Sequence, residues 1–213
     1  MDIVIIGGGV IGTTLAYWLA DKSKLEVTLV EGNSNFAENG TASFASAGLL
    51  TPAAAIGTHP AITSLIKRGF DLYPKLAAKL RRDHPELAGS GYFELDQLRV
   101  ASTEAEAVEL RERQRWYVEA GLAPEARWLE PKEVAEVEPL IGPNLGAVYH
   151  RGGLVRPPWL TRTLAKAAAA KGVIIKAASP VTALLVENGK ITGVQLQDGE
   201  IIEAGKVVLA AGA

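Results

Sequence analysis

The sequence contains no cysteine, which excludes disulfide bonds, thiolate metal ligands and cysteine nucleophiles and fits a reducing compartment. Histidine is also scarce: only His59, His84 and His150 are present, and no two of them lie at a spacing typical of metal ligands. The sequence therefore predicts no metal site. The net charge is −2, so the protein has no excess of basic residues for nucleic acid, and we expect no nucleic-acid partner.

Long uninterrupted hydrophobic runs are missing as well. Residues 3–19 are rich in apolar side chains, but glycines interrupt them, and Asp2 stands where a secretory leader would carry basic residues. A transmembrane helix needs about 20 continuous apolar residues, so the sequence predicts neither a leader nor a membrane span. Together with the lack of cysteine, this indicates a cytoplasmic protein.

The N-terminal region has the pattern of a strand, a helix and a second strand. The apolar runs Ile3–Ile6 and Val27–Val30 are typical of parallel strands that are buried on both faces. Between them lie three consecutive glycines, at positions 7–9, and a helical pattern over residues 10–20. This order of elements predicts an α/β protein with a parallel sheet.

Three glycines in the first turn, Gly7, Gly9 and Gly12, follow the dinucleotide-binding pattern G-x-G-x-x-G. The first glycine permits the tight turn, the second lets the backbone approach a pyrophosphate, and the third lets the helix pack against the strand. Glu31 ends the second strand, where its carboxylate is expected to bind ribose hydroxyls and to repel the 2′-phosphate of NADP. The pattern leaves FAD and NAD open, and a glycine-rich turn in an ordinary α/β protein is the alternative.

The segment at residues 41–50, TASFASAGLL, is rich in small residues. Small residues let a backbone approach a ligand closely, and serine hydroxyls can donate hydrogen bonds to phosphate. The segment therefore favours a flavin nucleotide over NAD. A flexible surface loop is the alternative explanation of its composition.

The rest of the chain alternates helices and strands. Two turn signals, Asn188-Gly189 and Asp198-Gly199, predict a β-meander, and Thr103 and Glu106 have the spacing of a helix capping box. The predicted elements are helices over 62–82, 103–120, 130–138 and 157–171 and strands over 92–101, 147–150, 173–175, 181–186, 191–197, 201–202 and 207–210.

Four stretches resemble the D-amino-acid-oxidase-like family of FAD-dependent amine and amino-acid oxidoreductases. They are IVIIGGGVIGTTLAYWLA with Glu31, ASFASAGLLTP, GGLVRPPWLTRTLAKAAAAKGV and the closing VVLAAGA. Within the family, the chain is most similar to the glycine-oxidase and D-amino-acid-dehydrogenase branches. The resemblance implies an enzyme that holds FAD non-covalently and oxidises the C–N bond of an amino acid, of the glycine or D-amino-acid class, by hydride transfer to the flavin.

The resemblance also implies which residues bind the cofactor. The glycine turn would hold the pyrophosphate, Glu31 the ribose, and the small-residue segment the phosphates and the flavin ring. The implied binding residues are Gly7, Gly9, Val10, Ile11, Gly12, Glu31, Ser43, Ser46, Ala47, Gly48, Leu49, Val181, Ala210, Ala211 and Gly212. No catalytic residue is assigned, because the flavin itself accepts the hydride.

The implied fold is an FAD-type Rossmann (doubly wound) α/β domain with a β-meander and an inserted partial α+β substrate domain. We assign residues 1–90 and 146–213 to the two segments of the FAD-binding domain, and residues 91–145 to the partial substrate domain. Family members continue after the VVLAAGA stretch, and the arginine that clamps the substrate carboxylate lies in that continuation. The chain is therefore expected to be a fragment truncated after residue 213. Whether the full-length protein forms a homo-oligomer stays an open question.

Two further functions stay open, an NAD-dependent dehydrogenase and a non-catalytic FAD-binding subunit. The expected partner is a small amine or amino-acid substrate. Several arginines could in principle meet a substrate carboxylate, although a solvated surface position is the default expectation for each of them. These are Arg99, Arg127, Arg151 and Arg156.

Overall fold

The computed structural model describes residues 2–38, 40–51, 59–87 and 89–212. Every helix and strand predicted from the sequence has a counterpart in it, and the short strands β3 and β5 were not predicted. In chain order the elements are β1 (Ile3–Ile6), α1 (Val10–Lys22), β2 (Val27–Val30), α2 (Ala42–Ala45), β3 (Leu49–Leu50), α3 (Pro60–Asp83), β4 (Phe93–Val100), α4 (Glu104–Glu119), β5 (Arg127–Leu129), α5 (Pro131–Val137), β6 (Ala147–Leu154), α6 (Pro157–Ala170), β7 (Ile174–Lys176), β8 (Val181–Glu187), β9 (Lys190–Leu196), β10 (Ile201–Glu203) and β11 (Lys206–Leu209).

The chain divides into two units. The first unit comprises Met1–Gly48, Ala77–Gly91 and Arg156–Ala213, and the second comprises Leu49–Leu76 and Tyr92–Val155. These bounds differ from the domains expected from the sequence, because residues 49–76 and β6 belong to the second unit. Strand pairing gives the reason: β6 is hydrogen-bonded to β3, β4 and β5, so it stays with them rather than with the N-terminal strands.

The first unit is built on a parallel sheet with the strand order β11-β1-β2-β7. Most residues of its strands are apolar, as expected of a parallel sheet whose two faces are both covered. On one face, Val4 and Val30 pack in a cluster with Val194 of β9. On the other face, a Cβ built at Gly12 of α1 would lie 3.4 Å from a methyl group of Ile5, and α1 also contacts α6.

The β-meander of the first unit has the strand order β10-β9-β8, and its first turn confirms the predicted hairpin. Asn188 and Gly189 both have positive φ, +50° and +75°, as a two-residue type I′ turn requires. Glu187 and Lys190 pair on either side of that turn. Asparagine and glycine are the residues that adopt positive φ most readily, so the dipeptide fixes the register of the two strands.

The second unit is built on an antiparallel sheet in which β6 lies between β4 and the short strands β3 and β5. The predicted strand over 147–150 is longer in the structure, because β6 pairs with β4 from Ala147 to Leu154. Tyr117 and Leu122, in and just after α4, are buried with Val148. The predicted capping box of α4 is confirmed: the Thr103 hydroxyl accepts from the Glu106 N–H, and the Glu106 carboxylate accepts from the Thr103 N–H.

The longest helix, α3, begins at Pro60, ends at Asp83 and contains Pro74. None of the helices in the described ranges is long and apolar enough to cross a membrane. The last residues of α3 belong to the first unit, and charged side chains attach them there. Lys79 of α3 lies 3.2 Å from the carboxylate of Asp21 in α1 and forms a second ion pair with Asp83.

Asp21 connects three helices of the first unit. Its carboxylate is 2.8 Å from the ammonium group of Lys171, next to the end of α6, and its side chain is only 10% exposed. The hydrogen bond from Lys171, joined by one from Lys79, lowers the pKa of Asp21 from 3.8 to about 2. A partly buried carboxylate with two cationic partners contributes more to stability than an exposed ion pair does.

We expect Asp21→Asn to lower the free energy of unfolding by about 1–2 kcal/mol at neutral pH. Because the folded pKa of Asp21 is depressed, its contribution is present above pH 3.8 and is lost as the pH falls towards about 2. Urea denaturation at several pH values, followed by circular dichroism, measures this. The matched control is Asp71→Asn, since Asp71 is 56% exposed and, among the described residues, its ion pair is with Lys67 of the same helix. An equal loss in both variants, or no pH dependence, contradicts the prediction.

Candidate dinucleotide-binding site

The chain turns sharply between β1 and α1 at Gly7, whose φ is +109°. Residues with a Cβ rarely adopt this conformation. A Cβ at Gly7 would also overlap the carbonyl oxygen of Ala210 and would lie 2.7 Å from the Cα of Ala211. Only glycine therefore lets this turn fit against the segment that follows β11.

The other two glycines of the pattern serve different purposes. A Cβ at Gly12 would overlap the carbonyl oxygen of Gly7, so Gly12 lets α1 begin directly against the turn. Gly9 has an ordinary φ of −68°, and a Cβ there would meet only the hydroxyl of Ser43, at 3.1 Å. Apart from that hydroxyl, no described atom lies within 4 Å of this Cβ position, so the space beside Gly9 is otherwise open.

The N-terminus of α1 offers free hydrogen-bond donors. Val10 donates its N–H to the hydroxyl of Ser43 at 2.9 Å. Within the described ranges, no group accepts a hydrogen bond from the N–H of Gly9, Ile11 or Gly12. Free N–H groups at the positive end of a helix dipole attract anions. Together with the open space at Gly9, they fit the pyrophosphate of a dinucleotide.

Glu31 follows β2 and is held in a fixed position by the backbone. One of its carboxylate oxygens accepts from the Gly8 N–H at 2.6 Å, and the other accepts from the Asn33 N–H at 2.8 Å. Two charge-assisted hydrogen bonds restrict the rotamers of a side chain that would otherwise be mobile. The arrangement connects the acidic residue to the glycine turn, while the ribose contact expected for Glu31 stays a prediction.

The predicted small-residue segment forms the short helix α2. Thr41 caps it by accepting the N–H of Phe44, and Ser46 ends it. Ser46 and Ala47 are exposed, whereas Gly48 is buried with a φ of +75°. Of this segment, Ser43 is the residue that the structure brings to the N-terminus of α1. Leu49 begins β3 and belongs to the second unit.

Of the remaining predicted residues, Ala210, Ala211 and Gly212 follow the C-terminal end of β11, and Val181 is the first residue of β8. Ala210 donates its N–H to the carbonyl oxygen of Ile6 at 2.8 Å and, like Ala211, lies against Gly7. Gly212 has a φ of +84°. Val181 begins β8 and packs against the cluster that contains Val30. The structure therefore brings the glycine turn, Glu31, Ser43 and the end of β11 together, whereas their contacts with a cofactor stay predictions.

Two contributors to this arrangement were missed in the sequence. A Cβ at Gly8 would lie 2.8 Å from the carboxylate of Glu31 and 2.5 Å from the ring of Phe36. Gly8 is the variable position between the first two glycines of the pattern, so the pattern assigns it no role. The run of three consecutive glycines was the one available signal. Phe36 gave no signal, because its position depends on the path of the loop after β2.

Two of the four candidate arginines, Arg127 and Arg156, lie over aromatic rings. Arg127 lies over the ring of Tyr149 at 5.0 Å and forms an ion pair with Glu133. Arg156 lies over the ring of Trp159 at 4.4 Å.

In the part of the chain that the structure describes, no group of three histidine or acidic side chains is arranged to hold a metal ion.

Comparison with known proteins gives a family and related structures. A family model described as FAD dependent oxidoreductase matches residues 2–213. Glycine oxidase of Pseudomonas putida is 31% identical over 221 residues, which cover 100% of this chain and 55% of that protein. Dimethylglycine dehydrogenase of Homo sapiens is 32% identical over 217 residues, which cover 99% of this chain and 23% of that protein.

The chain is also similar to solved structures of glycine oxidases. The crystal structure of glycine oxidase from Bacillus cereus matches with a TM-score of 0.87 and 34% identity, covering 99% of this chain and 55% of that one. The predicted α/β fold of the FAD-type is confirmed by this match. The chain thus spans about 55% of the length of these two glycine oxidases.

We expect Gly12→Ala to lower the free energy of unfolding by about 3 kcal/mol, because its Cβ would overlap a backbone oxygen that cannot move alone. Thermal unfolding without added cofactor measures this. The matched control is Gly69→Ala in α3, where a Cβ meets nothing within 4 Å and where alanine should stabilise the helix slightly. If Gly12→Ala unfolds at the same temperature as the parent protein, the close approach at Gly7 is not required.

Proposed function

Because the chain belongs to the family of FAD-dependent oxidoreductases, we propose that it forms the cofactor-binding part of an enzyme that oxidises the carbon–nitrogen bond of an amino acid. The observation that carries the proposal is the N-terminus of α1, where free N–H groups and open space at Gly9 lie beside a fixed acidic residue. The proposed substrates are glycine and D-amino acids. The proposed location is the cytoplasm.

The cofactor predicted from the sequence, FAD, is confirmed by the family. The family also disfavours the NAD-dependent dehydrogenase that the glycine pattern alone left open. When bound, FAD supplies the acceptor for the hydride that leaves the carbon bearing the amine. The protein supplies binding and orientation, because the chemistry belongs to the cofactor.

We propose distinct roles for the residues around the turn. The N–H groups of Gly9, Ile11 and Gly12 bind the pyrophosphate, since they lack acceptors within the described ranges. Glu31 orients the adenosine ribose with the carboxylate that Gly8 already holds in place. A carboxylate at this position favours a free ribose hydroxyl and disfavours a 2′-phosphate.

The substrate class rests on the relatives. Glycine oxidase and dimethylglycine dehydrogenase are named for glycine and for its dimethyl derivative, which share an amine next to a carboxylate. The chain covers 55% of one relative and 23% of the other. The substrate, the electron acceptor and the reaction of the whole protein are therefore proposals that an experiment has to decide.

We expect Gly9→Ala to weaken FAD binding about tenfold, which corresponds to about 1.4 kcal/mol. The added methyl group would occupy the space next to the helix N-terminus and press against the Ser43 hydroxyl, while the backbone of Gly9, with a φ of −68°, accepts alanine without strain. Titration of the protein with FAD, followed by flavin fluorescence, measures the affinity. Gly142→Ala is the control, because a Cβ there meets no described atom within 4 Å and Gly142 lies outside the glycine turn. Equal affinities in the two variants would place the pyrophosphate elsewhere.

The reaction is tested by mixing the FAD-loaded full-length protein, of which this chain is proposed to be the cofactor-binding part, with candidate substrates in the absence of oxygen. We expect glycine or a D-amino acid to bleach the visible flavin absorption, whereas the matching L-amino acid and NADH leave it unchanged. Chemical reduction with dithionite controls for an accessible flavin. The proposed reaction would be contradicted if dithionite reduced the bound flavin but no amine or amino acid did. That result would favour the non-catalytic FAD-binding subunit.

A further inference from the structure

A pocket of about 460 Å³ lies on the first unit, outside the arrangement around the glycine turn. It is lined by residues 34–36 of the loop that follows β2, by four residues of α6 and by Ile175 of β7. The apolar part of its lining consists of Phe36, Ala165, Ala169 and Ile175. A pocket of this size and lining can hold a small molecule with an apolar body.

Two cationic side chains line the same pocket. Arg162 and Lys166 are exposed and lie one turn apart on α6. Arg162 donates a hydrogen bond from Nε to the carbonyl oxygen of Phe36 at 3.1 Å, which fixes its direction. Among the residues that the structure describes, no acidic group forms an ion pair with either side chain.

The surroundings contain two carboxylates that bear on this charge. Glu38 accepts hydrogen bonds from the Ser34 hydroxyl and the Asn35 N–H, at 3.4 and 3.3 Å, and so orients two polar residues of the lining. Glu86 lines a neighbouring depression of about 310 Å³ that also includes Arg162 and Lys166. Neither carboxylate lies within ion-pair distance of these cations, so neither occupies their N–H donors.

From this combination we propose that the pocket binds a small organic anion, a carboxylate or phosphate monoester with an apolar or aromatic body. The anionic group lies against Lys166 and the guanidinium of Arg162, because an anion there gains charge-assisted hydrogen bonds. The apolar body lies between Phe36 and the alanines of α6, where it is removed from water.

This pocket is separate from the cofactor site but adjoins it through one residue. The ring of Phe36 lines the pocket, and it also lies where a Cβ of Gly8 would be. Gly8 in turn donates its N–H to Glu31. FAD and the anion therefore bind at the same time, with at most a modest effect on each other's affinity through Phe36.

The test uses isothermal titration calorimetry on the FAD-loaded protein. The probes are phenyl phosphate and phenylacetate, and benzyl alcohol is the uncharged control. We expect at least one anion to bind, and benzyl alcohol not to bind measurably at the same concentrations. The two anions distinguish a phosphate site from a carboxylate site, and either result supports the proposal. Binding of neither anion, or equal binding of benzyl alcohol, would overturn it.

Variants locate the binding in the pocket. Lys166→Ala should weaken binding about threefold or more, whereas Lys190→Ala, which removes an exposed cation in the meander, should leave it unchanged. Ala169→Trp fills the pocket and should abolish binding. Ala170→Trp, at the neighbouring exposed position of α6, is its matched control. If FAD displaces the anion completely, or if the two tryptophan variants behave alike, the anion does not occupy this pocket.

Discussion

The close approach of three backbone segments at Gly7 is the constraint on which the first unit depends. The turn after β1, the first turn of α1 and the segment after β11 meet there without room for a Cβ at Gly7 or Gly12. In the sheet, β1 lies between β11 and β2. The contact at Gly7 therefore fixes the position of α1 relative to these strands. The start of α1, where the N–H groups of Gly9, Ile11 and Gly12 have no acceptor within the described ranges, follows directly after this contact.

The charge distribution at the start of α1 then suits an anionic cofactor. The positive end of α1 carries no acidic residue in its first turn, so nothing on the helix itself neutralises it. The nearby carboxylate of Glu31 is oriented by two backbone N–H groups and is free to accept hydroxyl hydrogens rather than phosphate. A helix end that attracts phosphate and a carboxylate that accepts hydroxyls together match the chemistry of a dinucleotide.

The predictable features are those with strong local signals. The glycines predicted the turn because only glycine fits it, and Asn188-Gly189 predicted a hairpin because both residues adopt positive φ. The bounds of the two units were not predictable, since Ala147–Leu154 becomes a strand of the second unit by pairing with residues far away in the chain. β5 has three residues, too few for a period to be visible.

The same limit applies to the site. Gly8 and Phe36 contribute through a loop path that no local pattern encodes, and the pocket on α6 depends on packing between distant segments. By contrast, Ser43 was predicted from composition and resemblance, and the structure places it at Val10. The role of a residue could therefore be predicted from the sequence where its own backbone conformation requires that residue type. It could not be predicted where the role depends on neighbours that are distant in the chain.

The most direct test of the central claim is amide hydrogen exchange of the protein with and without FAD. The account predicts that FAD slows exchange at Gly9, Ile11 and Gly12, because their N–H groups gain phosphate oxygens as acceptors. NAD at the same concentration should protect them less. Unchanged exchange at these three amides in FAD-saturated protein, with protection appearing elsewhere, would contradict the claim that the α1 N-terminus holds the cofactor.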